Sequence, residues 1–297
     1  MRLAITGGTG FVGARAIARA LAAGHVVTAL TRRWQPDRDG VNWVVGTLAD
    51  APALAALVAG ADAVVHVAGV VSADRQGFIA GNIEGTRAVL AAAATAGVGR
   101  FVHVSSLSAR EPQLSTYGWS KQQAEILVEE TDLDWTIVRP SAVYGPGDME
   151  MRDIFRAAKL GLALLPPPGV MSAVAVDDLA ALLVALATHP APRTTYEVDD
   201  GRRWTHDEFA RAIGAAVGRR VMPLHLPQAL MMLGARIDGM VRGKAAKLTP
   251  DRVGYLAHPD WTARPDHRPP PDLWTPATDT RAGLAETARW YRANGLL

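Results

Sequence analysis

Three glycines at positions 7, 10 and 13, set directly behind the run Arg2 to Thr6, limit this chain more than any other feature. The run reads as a short strand, and Phe11 to Ala23 follows with apolar residues at helical spacing, so the segment predicts strand, glycine turn, helix. A Cβ in such a turn blocks the tight bend, the approach of a pyrophosphate to backbone N–H groups, or close packing of helix on strand. The helix N-terminus then presents partial positive charge to the phosphates. Gly7, Thr9, Gly10, Phe11, Val12 and Gly13 are accordingly the first candidate cofactor contacts. The expected second strand, His25 to Thr31, ends in Arg32 and Arg33, with no acid before Asp37. An acid there suits an unmodified ribose and arginine a 2′-phosphate, so the expected cofactor is NADP(H), with NAD(H) as the alternative.

Strand-like and helical runs then alternate: Val41 to Val45, Ala51 to Ala59, Ala63 to Ala68, Asn82 to Ala96 and Arg100 to Ser105. Short β-branched strands between alanine- and leucine-rich helices predict an α/β fold. Its form is a doubly wound Rossmann parallel sheet, covered on both faces and joined by right-handed crossovers. Ligands of such sheets lie at the carboxyl ends of the strands. Among those ends, Ala68 and Gly69 are small enough for a cofactor to approach their backbone, while His66, inside its strand, reads as a packed neutral histidine. Asn82 suits either a helix N-cap or a role positioning a water or a lysine.

Composition removes several function classes. The 297 residues are 49% hydrophobic, ample for a sizeable core. A formal net charge of only +2, with no basic stripe interleaved with aromatics, gives no sign of a nucleic-acid surface. The absence of cysteine excludes disulfides, thiolate nucleophiles and cysteine metal sites, and no other metal-ligand spacing occurs. The N-terminus runs straight into a strand, and the most apolar span, Ala51 to Val71, carries Gly60, Asp62 and His66. Neither a secretory signal nor an integral membrane segment is expected, and the location is read as cytoplasmic.

The strongest chemical constellation follows. The strand Phe101 to Val104 ends in Ser105 and Ser106, and downstream Tyr117 and Lys121 open a helical run to Glu130. Four apart on a helix, the two side chains share one face. A phenol, with a pKa of about 10, is a poor acid or base at neutral pH, and an adjacent ammonium favours its phenolate. A hydroxyl such as that of Ser106 can hold a substrate oxygen, with Ser105 and Ser108 standing close by as alternatives.

Together these residues resemble the short-chain dehydrogenase/reductase superfamily in its extended or allied atypical form, the NAD(P)-dependent epimerase/dehydratase family. Gly7, Gly10 and Gly13 match its Gly-x-x-Gly-x-x-Gly turn, Tyr117 and Lys121 match its Tyr-x-x-x-Lys pair, and the resemblance covers nearly the whole chain. It implies Tyr117 as general acid/base, Lys121 as the group that tunes it and holds the nicotinamide ribose, and Ser106 as the residue that orients and polarises a carbonyl. Thr136 to Gly147 is similar to the family's strand and loop after the catalytic helix, which implies that backbone from Pro140 to Val143 meets the nicotinamide end. Thr47 stands where the family usually has an adenine-contacting aspartate, and Leu48 keeps its backbone available there. The acid pair that follows the catalytic hydroxyl in the dehydratase branch is replaced by Leu107 and Ser108, leaving no group to drive elimination of water.

The second half is more mixed. Met151 to Leu164 reads as a helix, Val174 to Thr188 as a return to the main domain, Thr195 to Val198 as a short strand, and Thr205 with Glu208 as a capping box. The expected division is a dinucleotide-binding domain of residues 1–145 plus about 171–190, and a smaller substrate-binding lobe of about 146–170 plus 191–297. Met231, Met232 and Met240 suit either an apolar pocket or plain helix packing. Leu248 to Val253 is similar to a stretch of hydroxysteroid dehydrogenase and dihydroflavonol reductase relatives. The expected function is NADP(H)-dependent interconversion of a secondary alcohol and a ketone on a small, largely apolar substrate, by a monomer or homodimer. One alternative is a nucleotide-sugar epimerase with tightly bound NAD, which needs arginines such as Arg202, Arg203, Arg219 and Arg220 to converge on a diphosphate. The other is a non-catalytic NAD(P)-binding protein.

Overall fold

The computed structural model describes residues 1–189, 193–243 and 246–297. The chain begins β1 (Arg2–Thr6), α1 (Phe11–Ala22), β2 (Val26–Thr31), β3 (Val41–Val45), α2 (Ala51–Val58) and β4 (Ala63–His66). A long helical run follows, from α3 (Arg75–Phe78) through a π-helical turn at Ile79–Glu84 into α4 (Gly85–Thr95). Next come β5 (Arg100–Val104), α5 (Thr116–Glu129), β6 (Asp134–Pro140), β7 (Ala142–Tyr144), α6 (Arg152–Lys159), β8 (Leu162–Leu165), β9 (Val170–Met171) and β10 (Ala173–Ala175). The remainder is α7 (Val176–Thr188), β11 (Thr194–Val198), β12 (Trp204–Thr205), α8 (His206–Val217), β13 (Met222–His225), α9 (Gln228–Arg242), α10 (Pro250–Leu256), β14 (Asp260–Trp261) and α11 (Thr280–Ala293).

Seven strands form one sheet in the order β11-β6-β5-β4-β1-β2-β3, every neighbouring pair parallel. This is the doubly wound arrangement expected, with the strand order reversing beside β1. Strand alternation explains why both faces are covered. Leu3, Ile5, Val65, Val102 and Val138 point to the side of α1 and α7, where Ile17, Leu179 and Leu183 meet them. Ala4, Val64, Phe101 and Ile137 point to the opposite side, against Leu54, Val89 and Val128 of α2, α4 and α5.

A third core, with Tyr144, Phe155, Trp204, Phe209, Leu284 and Tyr291, holds together α6, α8, α11 and the short strands beyond β6. A small fourth cluster joins Met231 and Ala235 of α9 to Val253 of α10.

Three expectations change. The helix expected over Met151 to Leu164 stops at Lys159, because Gly161 turns with a φ of 82° and Leu162–Leu165 instead pairs as a strand with β13. Asn82 opens no helix; it lies inside the π-helical turn, and its side chain serves as no cap. The expected boundary at 190–191 lies outside the described residues, but Thr194–Val198, assigned by the sequence to the lobe, pairs along β6 as the seventh strand of the main sheet. The capping box of Thr205 and Glu208 is present at the start of α8.

Candidate active site

The glycine turn is shaped by close approach on two sides. Gly7 has a φ of 71°, and a Cβ there would stand 2.8 Å from the Ala68 amide nitrogen. A Cβ on Gly13 would stand 2.1 Å from the Gly7 carbonyl oxygen, so α1 can rest against the turn only without one. Thr9 and Gly10 are exposed at the tip, with Phe11 and Val12 half-buried behind them. The start of α1 has no side-chain cap and no acid in its first turn. By contrast α2, α5, α8, α10 and α11 are each capped by Asp, Ser or Thr. An uncapped N-terminus behind a glycine cradle leaves N–H donors for an anion, and that fits the pyrophosphate of a dinucleotide. The loop after β7 lies over this opening: Arg15 donates to the Pro146 carbonyl at 3.0 Å, and a Cβ on Gly147 would meet the Phe11 ring at 3.6 Å.

Beneath the turn the polar groups are closed off. Thr86 Oγ1 donates to the Asn82 carbonyl at 2.6 Å, so it must accept from His66 Nε2 at 3.0 Å. His66 Nδ1 then accepts from Thr6 Oγ1 at 2.7 Å, and Thr6 in turn accepts the Ala68 N–H at 3.1 Å. Burial, aided by the charge of Lys121, lowers the imidazole to about 3 and keeps it neutral. His66 is thus the packed histidine expected from its place in the strand.

Past β2, Arg32 and Arg33 are exposed and have no carboxylate partner among the described residues. Thr47 is exposed and accepts the Ala49 N–H at 3.3 Å, while Asp50 is occupied as the N-cap of α2. Leu48 packs over Gly85 of α4. Ala68 and Gly69 follow β4; a Cβ on Gly69 would lie 3.2 Å from Asn82 Oδ1 and 3.8 Å from Lys121 Nζ. Pro140 is buried at the end of β6, and Val143 lies half-buried in β7.

Ser106 and Tyr117 face each other beyond the carboxyl end of β5, and Lys121, one turn further along α5, lies beside Gly69. Gly118 lets this happen, since a Cβ there would stand 2.5 Å from the Ser108 carbonyl oxygen, so α5 packs directly on the turn that follows Ser106. Of the three neighbouring serines, Ser106 faces the Tyr117 phenol. The Ser105 hydroxyl is buried without a partner among the described residues, and Ser108 turns its N–H to Ser106 Oγ at 3.1 Å. Lys121 is buried and donates from Nζ to the Val104 carbonyl at 2.8 Å. Asn82 ties the neighbouring loop to α5. It donates to Ser120 Oγ at 2.9 Å and to the Val70 carbonyl at 3.0 Å, and accepts the Val70 N–H at 2.6 Å.

The electrostatics differ from the simple expectation that Lys121 lowers Tyr117. Burial pushes the phenol up to about 12, opposed by the facing Ser106 hydroxyl and by Arg252. Burial also brings Lys121 down to about 8 against the pull of Glu125, and its ammonium is spent on the Val104 carbonyl. Arg252 favours the phenolate and Tyr255 opposes it, each by less than burial and the Ser106 hydroxyl do, and sequence reasoning missed both residues. Arg252 belongs to α10, held against the start of α5 by Asp251, which accepts the Thr116 N–H at 2.5 Å and the Tyr117 N–H at 3.3 Å. Tyr255, one turn on, has its ring 6.2 Å from that of Tyr117. The one signal in sequence was the Leu248 to Val253 stretch with its Thr249 cap; nothing in it points to a partner so far upstream.

A buried ionic chain braces the same helix. Arg139 makes a paired contact with Glu125 of α5 at 2.6 and 2.8 Å, Glu197 of β11 lies 3.8 Å away, and Arg110 reaches Glu197 at 3.2 Å. Arg110 also donates to the carbonyls of Asp260 and Thr262. Among the described residues no His, Asp and Glu group is arranged to hold a metal, and no helix is long and apolar enough to cross a membrane.

Fold and cradle together define an NAD(P)-binding Rossmann protein, and known proteins agree. A family model described as NAD(P)H-binding matches residues 7–190. The chain is 37% identical to the ceramide reductase of Caulobacter vibrioides, over 99% of this chain and 96% of that protein. It is 29% identical to sterol demethylase protein B of Methylococcus capsulatus, over 100% of each. Among solved structures, MoeE5 in complex with UDP-glucose and NAD superposes with a TM-score of 0.75 at 22% identity over 99% of each chain, a likeness of fold. The chain belongs to the NAD(P)-dependent epimerase/dehydratase family of extended short-chain dehydrogenases/reductases, which embraces reductases, dehydratases and epimerases.

Proposed function

We propose that this protein is an NADP(H)-dependent oxidoreductase that interconverts a ketone and a secondary alcohol on a largely apolar molecule. The observation that carries the reading is the facing of Ser106 and Tyr117, with Lys121 one helical turn on beside Gly69 and an uncapped glycine turn at the start of α1. A bound NADPH would supply the hydride that adds to the carbonyl carbon. Tyr117, whose phenol stays protonated at neutral pH, gives its proton to the carbonyl oxygen, and Ser106 Oγ holds that oxygen in place. The alcohol thus gains one hydride and one proton, and solvent returns the proton to Tyr117. Lys121 and Asn82 fix the floor of the site, while Arg32 and Arg33 are the groups for a 2′-phosphate. The residues beyond β11, with those of 146–170, form the substrate lobe in this reading.

Support for an apolar substrate comes from the names of the two full-length relatives, one concerning a ceramide and one a sterol. Two of the four arginines that could bind an epimerase's diphosphate are otherwise engaged, Arg202 stacking on Trp204 at 3.7 Å and Arg203 pairing with Asp260 at 3.3 Å, while Arg219 and Arg220 are exposed with no carboxylate partner among the described residues. The test is a panel of long-chain and steroid ketones with NADPH oxidation followed by absorbance, beside UDP-sugars as the competing class. Tyr117→Phe is expected to keep NADPH binding and lose turnover by about 10²–10⁴-fold. Unchanged turnover in that variant, or activity on UDP-sugars alone, would reject the reading.

A further inference from the structure

Helix α9 has two apolar faces. Met231 and Ala235 turn inward onto Val253 of α10. Leu230, Leu233, Ile237, Met240 and Val241 recur at three- and four-residue steps on another face, and all are exposed, from 49% at Ile237 to 78% at Met240 and Val241. The strand that leads into α9 repeats the pattern. In the β8–β13 pair, Met222 lies opposite Leu162 and Leu224 opposite Leu164, and these four are exposed while Ala163 is buried. So many large apolar side chains on consecutive elements exceed the scattered exposure of an ordinary surface.

Charge indicates what covers them. From Gly218 to Gly243 the chain carries Arg219, Arg220, Arg236 and Arg242 against a single acid, Asp238. That acid is occupied, accepting the N–H groups of Lys247 and Leu248 and pairing with Arg242. Arg219, Arg220 and Arg236 are exposed, with no carboxylate partner among the described residues. An apolar stripe accompanied by free arginines suits a helix lying in the headgroup layer of an anionic bilayer. Pairing with a second copy fits less well. It would set arginine against arginine, and the 15 residues of α9 supply about two heptads where a coiled coil needs three or four.

We propose that α9 and the β8–β13 ribbon dock this protein on an anionic lipid surface, from which it takes a lipid substrate. The substrate clause rests on the function proposed above. The docking face is one helix removed from the site, since α9 packs on α10 and Tyr255 of α10 lies against Tyr117.

The experiment is flotation of the full chain with vesicles of phosphatidylcholine and phosphatidylglycerol, beside vesicles of phosphatidylcholine alone. The chain is expected to float with the mixed vesicles, and Leu233→Ser/Ile237→Ser/Met240→Ser to lose about tenfold or more in affinity. Arg219→Ser/Arg220→Ser should weaken binding to mixed vesicles only; binding equal to wild type there removes the anionic assignment. Docking is overturned by absence of flotation, by a triple variant that floats like wild type, or by a wild-type dimer that the triple variant dissociates in light scattering. Turnover of a water-soluble short ketone without vesicles is measured in parallel. A wild-type chain that turns over the short ketone but does not float sinks docking alone, whereas flotation without any ketone turnover sinks the function and leaves docking standing.

Discussion

The helix that carries Tyr117 is held from two sides, and the two are built differently. On the sheet side its partners are uncharged or backbone groups: Ser106, Asn82 and the Val104 carbonyl that anchors Lys121. On the lobe side they are the carboxylate of Asp251, the guanidinium of Arg252 and the ring of Tyr255. The sheet side fixes where the phenol sits and, through Ser106, favours its phenolate; the other side adds the smaller, opposed effects of Tyr255 and Arg252. The two sides thus act on one oxygen through different kinds of contact, and each can be altered with the other left in place.

The largest disturbance should come from the ionic chain that spans both sides. Arg139→Met leaves Glu125 and Glu197 buried without their shared cation, with an expected loss of about 3–5 kcal/mol in urea unfolding. A loss under about 1 kcal/mol would mean the two sides are braced elsewhere. Asp148, buried in the loop that opens the lobe, comes next. Burial raises it to about 6, against the hydrogen bonds it accepts from the Glu150 and Met151 amides. A carboxyl raised in the folded state stabilises below its unfolded pKa and loses that contribution as pH climbs through about 4 to 6. Relative to wild type, Asp148→Asn should therefore gain roughly 2–3 kcal/mol between pH 4 and pH 7, read from paired urea curves.

On the sheet side, Arg32→Ser/Arg33→Ser should raise the KM for NADPH about tenfold, roughly 1.4 kcal/mol, and leave that for NADH unchanged. Equal effects on both cofactors would detach these arginines from the 2′-phosphate. The smallest effect belongs to the lobe side: Asp251→Ala removes one of two caps on α5, worth about 1 kcal/mol. It should lower kcat several-fold with the KM for NADPH unchanged, because Ser115 still caps the helix while α10 loses its grip. An altered KM for NADPH would show that the two sides are not separable.

The same division explains what could be read in advance. Glycines 7 and 13, Ser106 and the Tyr117/Lys121 pair lie at strand ends or one helical turn apart, where spacing alone predicts proximity. Asp251 reaches the start of α5 from 135 residues along the chain, with Arg252 beside it, and no local pattern encodes that meeting. For Asn82 the sequence leaves a cap and a positioning role open, because residue preference cannot register a π-helical turn; the structure removes the cap and sets the side chain on Val70 and Ser120. Lys121 was expected to act on the phenol because helix spacing says which face a side chain shares, not which carbonyl it will reach first. Leu162 to Leu165 kept a helical look in sequence, and Gly161 together with a partner strand some sixty residues on decided otherwise.

That β11 closes the sheet beside β6 also bears on how the molecule is assembled. The outermost strand on that side is supplied only after the segment between β6 and β11, which includes α6 and α7, has been synthesised. Until then β6 is an open edge with unpaired backbone groups, a template for pairing with other chains. A fragment ending near residue 145 would retain the glycine cradle and all three hydroxyl and amine groups, yet carry that edge bare and lack Glu197 beneath Arg139. The chain's middle section must leave the sheet and come back before that edge is covered.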